Sequence, residues 1–444
     1  GSPVKIRLHF SYLDHKYPAM NHTKQTLITA FALFSLFFGA GNLILPPFLG
    51  FQSGSNWVWV ALGFAVSAVV IPILAIYGHA RLQGNLTDFA KKISPGAAVV
   101  YAIIIYAISA SLPSPRTASV TYEMAIAPYF EISSLWFSTI YFCLVLLFVL
   151  NRSKLLTLIG KFLTPLIILL LLLIVGIGVA TETEMIATAT SSPFSMGVLE
   201  GYQTFDAIGG VVVGGVIVVS FALQGKHTYE ERKRMIGKAG LLAGVGLFVI
   251  YAGLIALGAL YASAFDGSTR TELLTFLSIE TLGTFGAAFL AVLVALACFT
   301  TAVGIVTGTA DFLKGLLGDS HTVFIVTAIV ACVLGVAVGQ FNVGYIIDIA
   351  VPALMIIYPL TIILILLNVL PERITTKGVF RAVVFVTILF SIPEFLSTIL
   401  LAESIPGWFQ NIPLYSQNLG WLLPAVFTFV VAQLLRKNRR EASK

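Results

Sequence analysis

The sequence predicts an all-α polytopic membrane protein of about twelve transmembrane helices, built as a five-plus-five inverted repeat with two extra C-terminal helices. Three observations predict it. Of 444 residues, 58% are hydrophobic and only 10% are charged, where an ordinary soluble domain carries about 25% charge. Twelve apolar runs are long enough to cross a bilayer. Two of those runs are interrupted by glycine and polar residues at matching places in the chain.

The runs read 26–49, 57–79, 97–127, 134–150, 155–180, 196–223, 237–263, 284–314, 322–339, 343–370, 379–401 and 418–435. They are numbered as spans 1 to 12; spans 3 and 8 are long and are expected to tilt or project. Of the 26 Lys and Arg residues, 24 fall on one side of the alternating loops. Arg270 lies on the other side and Arg116 within a span. That alternation supports twelve spans with both termini cytoplasmic. The net charge of +6 follows from those loops and gives no reason to expect a nucleic-acid partner. Cys143, Cys298 and Cys332 lie in apolar runs without metal spacing and read as buried thiols. Residues 1–19 are polar and unpatterned; they read as a non-native or disordered extension ahead of Met20.

Span 1 carries Phe38-Gly39-Ala40-Gly41-Asn42 and then Pro46-Pro47. The glycines weaken the helix, Asn42 brings an amide to membrane depth, and the prolines remove two donors and push the preceding residue out of helical geometry. Backbone groups freed there must face protein, a ligand or an ion, because lipid cannot satisfy them. Broken spans of this kind mark the binding sites of secondary transporters, although glycines in membrane helices also serve plain close packing. Span 3 holds Arg116 and Glu123, seven residues apart on one helix face. Two readings stand: a fixed ion pair, or a gate in which Arg116 swaps between Glu123, Glu200 and Asp206.

Span 6 carries the second break, Glu200-Gly201-Tyr202-Gln203-Thr204-Phe205-Asp206, then Gly209-Gly210. The breaks are centred near residues 41 and 206, five spans apart. Five is odd, so the second block is inverted. The division is then 20–180 for the first repeat, 190–370 for the second and 375–444 for spans 11 and 12 with a basic tail. Residues 271–282 read as a short helix on the outer surface, either a connector or a lid. Thr300 and Thr301 in span 8 read as back-bonded hydroxyls or as ion ligands. Asp348 is placed toward an outer vestibule, and His79 and His227 at solvated span ends.

Phe37-Phe38-Gly39-Ala40-Gly41-Asn42-Leu43-Ile44 with Pro46-Pro47 closely resembles the first-span motif of the bacterial branched-chain amino acid:cation symporters. Pro115-Arg116-Thr117 with Glu123, Gly160-Lys161 before Thr164-Pro165, Glu200-Gly201-Tyr202 with Asp206, and Ala297-Cys298-Phe299-Thr300-Thr301-Ala302 are similar to that family too. The likeness runs from about Thr26 to about Asn368. It implies the leucine-transporter fold of the amino acid–polyamine–cation superfamily, with a site between spans 1, 3, 6 and 8. It also implies sodium- or proton-coupled import of leucine, isoleucine and valine across the bacterial inner membrane.

On that resemblance, the substrate carboxylate would meet the free N–H groups of Ala40, Gly41 and Asn42 beside Gly39, at the start of a half-helix. Carbonyls near Thr204 and Phe205 would take the ammonium. Phe205, Ile208 and Leu112 would surround the aliphatic chain. By alignment with the fold, one sodium would lie among the carbonyls of Ser35, Phe38 and Ala297 and the hydroxyls of Thr300 and Thr301. A second would lie between the Phe37 carbonyl, the Asn42 side chain, Thr204 and the substrate. Asp206 is a candidate proton carrier, so a proton-coupled symporter or an exchanger is the alternative. No zinc-protease or nucleophile-elbow motif is present, which disfavours an intramembrane enzyme. A channel usually needs rings of like groups. The expected partners are a small amino acid and membrane lipid, with no cofactor beyond the coupling ion.

Overall fold

The computed structural model describes residues 22–39, 41–151, 155–180, 185, 191–223, 229–401 and 404–441. Residues 1–19, Ala40 and His227 lie outside them. Among the described residues the secondary structure is helical throughout, and each of the twelve expected runs is found as one helix or as two half-helices.

Span 1 is broken, as expected, but the break is short. Helix 1a, His22–Phe37, and helix 1b, Gly41–Ser53, flank residues 38–40. Pro46 and Pro47 were expected to end helical geometry; they lie inside 1b. The donors they lack would have served the carbonyls of Asn42 and Leu43, in the first turn after the break. The missing bonds are thus confined to a turn already separated from 1a. Span 6 has the same form, with 6a at Pro193–Tyr202, 6b at Asp206–Leu223 and the break at residues 203–205. Phe205 ends that break with φ at 61°, a left-handed conformation that costs a non-glycine residue roughly 1–3 kcal/mol.

Span 3 departs from the continuous helix expected. It runs Pro95–Ser111 and Pro113–Thr121 with a kink at Leu112, then a π-helical turn at Tyr122–Ile126. Pro113 and Pro115 withhold two helix donors, with only Ser114 between them, which accounts for the kink. The outer helix and span 8 form one long element, Arg270–Leu316, bent at Gly283 with φ at 70° and ψ at 178°. Glycine alone adopts that conformation freely. A capping box between Thr269 and Glu272 starts the outer helix. The bonds that Glu272 accepts from the Thr269 and Ser268 N–H groups hold its carboxyl below the usual range.

The two blocks interlock reciprocally. Helices 1a and 1b both pack on span 7, Tyr229–Leu260, and 6a and 6b both pack on span 2. Spans 3 and 5 pack on span 8, and span 4 packs on span 9. Spans 11 and 12, Lys377–Ile399 and Leu422–Glu441, pack on each other, and span 11 packs on span 10, Val343–Val369. Large apolar side chains point outward all around this bundle, among them Phe162, Leu169, Val245, Val333, Phe385 and Phe427, each more than half exposed. Such a belt is incompatible with water and suits lipid. Cys143, expected to be buried, is exposed, whereas Cys298 and Cys332 are buried.

Two crossings depend on missing side chains. A Cβ on Gly197 of 6a would lie 2.1 Å from the Val60 carbonyl of span 2, and one on Gly63 would lie 2.0 Å from the Phe194 carbonyl. Gly50 of 1b and Gly258 of span 7 meet backbone equally closely, each at 1.8 Å. Gly197→Val should therefore push 6a off span 2 and destabilise the protein by about 1–3 kcal/mol. Gly176→Ala, with nothing within 4 Å of the new carbon, should not. Thermal unfolding midpoints of the purified variants in detergent check this; equal midpoints would show that the crossing tolerates bulk.

Candidate functional site

The breaks bring together polar groups that the sequence holds 164 residues apart. Asn42 opens helix 1b and is 1% exposed. Its side-chain nitrogen lies 2.7 Å from Asp206 Oδ2, 2.5 Å from the Phe37 carbonyl and 2.5 Å from the Tyr251 hydroxyl. Three oxygens from spans 1, 6 and 7 thus crowd one amide nitrogen that carries two hydrogens. Among the described residues the amide oxygen of Asn42 has no hydrogen-bond partner. The Asn42 N–H, expected to be free, donates to the Gly39 carbonyl at 3.1 Å. In span 6 the Asp206 N–H donates to the Thr204 hydroxyl at 3.2 Å, and the Thr204 hydroxyl donates to the Gly201 carbonyl at 2.8 Å. The Phe205 carbonyl, expected to face a ligand, receives the Gly209 N–H at 2.8 Å.

Arg116 reaches into this centre from span 3 and is 4% exposed. Its Nη1 donates to the Gln203 carbonyl at 2.7 Å, and its guanidinium lies over the Phe205 ring at 5.3 Å. Those two contacts help hold Phe205 in its left-handed conformation. Arg116 also covers Gly41: a Cβ there would lie 2.4 Å from Nη2. A cation therefore sits beside the positive end of helix 1b, an arrangement that an anion placed between them would relieve. Among the described residues, no carboxylate lies within ion-pair distance of Arg116.

One cavity of about 770 Å³ takes in this centre. Ser35, Phe37, Gly39, Gly41, Asn42, Arg116, Thr204, Phe205, Asp206, Ile208, Thr300 and Thr301 all line it, as the expected site requires. Leu112 does not; at the kink its side chain turns into the core with Tyr202, Ile357 and Trp421. Pro113, Ser109 and Tyr106 take that part of the wall. Phe38 and Ala297 are buried behind the wall. The Thr300 and Thr301 hydroxyls both donate to the Ala297 carbonyl, at 3.0 and 2.9 Å. Back-bonding therefore describes their protons, while both residues line the cavity. Ser35 Oγ pairs with Thr164 Oγ1 of span 5 at 2.8 Å. The cavity continues past Thr307, Thr309 and Asp311 of span 8, toward the ends that carry the basic loops.

The opposite end is closed. Arg270 of the outer helix pairs with Glu200 at 3.1 Å and lies over the Phe48 ring at 4.8 Å. The Thr271 hydroxyl donates to Glu123 Oε2 at 2.6 Å, and the Val343 N–H donates to Glu123 Oε1 at 2.8 Å. Neither expected pairing of Arg116 with Glu123 or Glu200 is therefore made here. Seven helical residues rise about 10 Å, beyond ion-pair reach when Arg116 turns sideways into the break and Glu123 reaches the outer surface. His79, expected to be solvated, is fully buried; its ring nitrogens lie 3.0 Å from the Gly84 carbonyl and 2.7 Å from the Val211 carbonyl. Asp348 is exposed on span 10. Tyr251 and Gln203 were missed, although a tyrosine within an apolar span is a weak signal of a polar partner.

Comparison with known proteins agrees with this geometry. Residues 22–439 match the model of a family described as branched-chain amino acid transport protein. The chain is 34% identical over 428 residues to the branched-chain amino acid transport system 2 carrier protein of Pseudomonas aeruginosa, covering 93% of this chain and 97% of that one. It is 33% identical over 422 residues to the branched-chain amino acid permease BrnQ of Escherichia coli, covering 92% and 95%. Among solved structures, Mhp1 in an inward-facing conformation superposes with a TM-score of 0.58 at 14% identity, over 93% of this chain and 91% of that one. That likeness shows the fold, the leucine-transporter arrangement of two interlocked inverted blocks.

The outer closure rests on few groups and is open to test. Arg270→Ala combined with Thr271→Val removes both side-chain ties of the outer helix to Glu200 and Glu123. Backbone hydrogen exchange in residues 270–282 should then speed up by tenfold or more, while spans 4 and 9 keep their rates. Unchanged protection across 270–282 would mean that apolar packing alone holds the helix down.

Proposed function

Because the chain belongs to the branched-chain amino acid transport protein family, we propose that it imports leucine, isoleucine and valine by sodium symport with alternating access. It is a transporter and not an enzyme. The observation that carries this reading is the placement in one cavity of Arg116, whose guanidinium lies beside the start of helix 1b, and Asp206, which opens helix 6b. An amino-acid zwitterion carries the complementary pair of charges. Its carboxylate pairs with the Arg116 guanidinium, and reaches the first-turn donor at Gly41 when that guanidinium shifts off it. Its ammonium fits the Asp206 carboxylate. Its aliphatic chain fits the apolar wall at Phe205, Ile208 and Val303. Such a wall separates side chains differing by one methylene by only about 1–3 kcal/mol, so several branched substrates share it.

Sodium is a hard cation that takes oxygen ligands. The Phe37 carbonyl, Asp206 carboxylate and Tyr251 hydroxyl form one oxygen-rich corner around Asn42 Nδ2, and with the Asn42 amide turned over its oxygen joins them around the ion. Ser35, Thr300 and Thr301 supply hydroxyl oxygens for another, between span 1 and span 8. An ion there ties span 1 to span 8, so its release loosens the cavity on the basic side. Basic loops are retained inside; both termini then lie in the cytoplasm and the cavity opens to it, in the bacterial inner membrane. A cavity open on one side and closed on the other by the outer helix is what one state of alternating access requires. The buried carboxylate of Asp206 keeps a second reading in view, with a proton in place of sodium.

Uptake of radiolabelled leucine into proteoliposomes tests both. An inward sodium gradient should concentrate leucine, with isoleucine and valine competing and lysine not. Thr301→Ala should raise the sodium concentration for half-maximal uptake, and Arg116→Ala should weaken leucine binding about ten- to hundredfold, the worth of a charge-assisted hydrogen bond. The sodium reading is falsified if leucine is concentrated equally without sodium. Uptake driven by a pH gradient alone, and lost in Asp206→Asn, would establish the proton reading in its place.

A further inference from the structure

Spans 11 and 12 lie outside the repeat, yet they reach the broken helix of span 6. Glu394 of span 11 is fully buried, at 0% exposure. Its Oε1 accepts the Gly420 N–H at the approach to span 12. Its Oε2 is buried without a hydrogen-bond partner. Three donors are in the same condition: the Tyr202 hydroxyl at the end of 6a, the Tyr358 hydroxyl of span 10 and the Trp421 indole N–H. All three residues are 2% exposed or less. Buried polar groups without partners are uncommon, and several converging from different helices call for a ligand or a shared proton.

The cluster leads to the substrate cavity. The Tyr202 hydroxyl faces Glu394 and the Trp421 indole. The Tyr202 ring stacks on Tyr358 with centroids 4.5 Å apart. The Tyr358 hydroxyl in turn faces Thr204 and the Ala207 backbone at the break. A second tie joins the same elements: the Ser195 hydroxyl of 6a donates to Gln417 at 2.9 Å, just ahead of span 12.

No cation among the described residues lies within ion-pair distance of Glu394. The groups facing it are neutral: Tyr202 from 6a, with Tyr358 behind it from span 10, and the Gly420 and Trp421 backbone amides with the Trp421 indole from the approach to span 12. The basic residues of its own helix, Lys377 and Arg381, lie at the far end, about 20 Å away. An ionised carboxylate buried here among uncharged groups, with no cation beside it, would lack several kcal/mol of compensation. The neutral acid suits the site, because its O–H can donate to the Tyr202 oxygen.

We propose that Glu394 is a proton-binding site, and that the bound proton latches the outer half of span 6 to spans 10 to 12. With the proton in place, the carboxyl, Tyr202 and Trp421 form a neutral hydrogen-bonded group. Release of the proton to water leaves a buried carboxylate that needs a counter-charge or solvent, which the packed site lacks. The latch then opens and 6a is freed. By linkage, any state of the protein in which 6a is undocked binds this proton less tightly. The proton is thus a ligand of the conformational cycle at a place separate from the substrate and its coupling ion.

The test needs no transport. Infrared difference spectra of the purified protein, recorded between pH steps, should contain a carboxylic-acid C=O band that titrates in wild type and is absent from Glu394→Gln. Hydrogen exchange in residues 193–202, corrected for its intrinsic pH dependence, should rise about tenfold with pH across the same interval in wild type and stay flat in Glu394→Gln. A band unchanged in Glu394→Gln, or the same exchange profile in both proteins, overturns the proposal. If Glu394→Gln does not fold, Tyr202→Phe decides. It removes the acceptor of the carboxyl proton and with it the latch, so the titration midpoint of the band should move down by about half to one pH unit. An unmoved midpoint overturns the latch.

Discussion

Lipid offers no hydrogen bonds, so every backbone group released at membrane depth must be satisfied by the protein or by what it binds. Both broken spans answer that constraint, and much of the site follows from it. In span 6 the chain stays tightly wound through residues 203–205, and the Gln203 carbonyl is met by Arg116. In span 1 the released Phe37 carbonyl is met by Asn42. Each break is thus closed by a side chain that also lines the cavity. Satisfying the backbone and lining the cavity are here one arrangement.

The same economy sets where the molecule is rigid. The half-helices are held by glycine-mediated contact with the opposite block, Gly197 and Gly63 for 6a, Gly50 and Gly258 for 1b. Such backbone-to-backbone contact leaves no side chains to rearrange. By contrast, the outer closure is a small set of hydrogen bonds and one ion pair around Arg270, Thr271, Glu123 and Glu200. Partly exposed pairs of that kind are individually weak. They suit an element that docks and undocks, with the Gly283 bend between the outer helix and span 8 as its pivot.

Charge is rationed within the bundle, and its placement is informative. Arg116 and Asp206 face one cavity without forming an ion pair with each other. A direct pair would have satisfied both and left little for a zwitterion to gain. Glu394 is farther out, among aromatic groups that carry no charge. His79 holds 6b from below, between two carbonyls. Span 6 is therefore gripped by ionisable groups at three levels.

The sequence by itself determined the class, the number of spans, the two breaks and most of the residues on the cavity wall. Those features are local: apolar run length, the sign of loop charge, and glycine or amide residues inside an apolar run are all written within a few tens of residues. It also determined the inverted pairing, because five spans between breaks leave only one sense. Tertiary structure decided which polar groups meet. Arg116 and Glu123 share a helix face, but Arg116 turns to Gln203 and Glu123 to Thr271, because each side chain goes to the partner that another span brings near. Leu112 left the cavity because Pro113 and Pro115 kinked span 3 and reset its register. Pro46 and Pro47 stayed helical because the break ahead of them had already separated their turn from helix 1a. Tyr251 and Glu394 gained their roles only from packing, since no spacing along the chain records that span 7 crosses span 1 or that span 11 stands behind span 6.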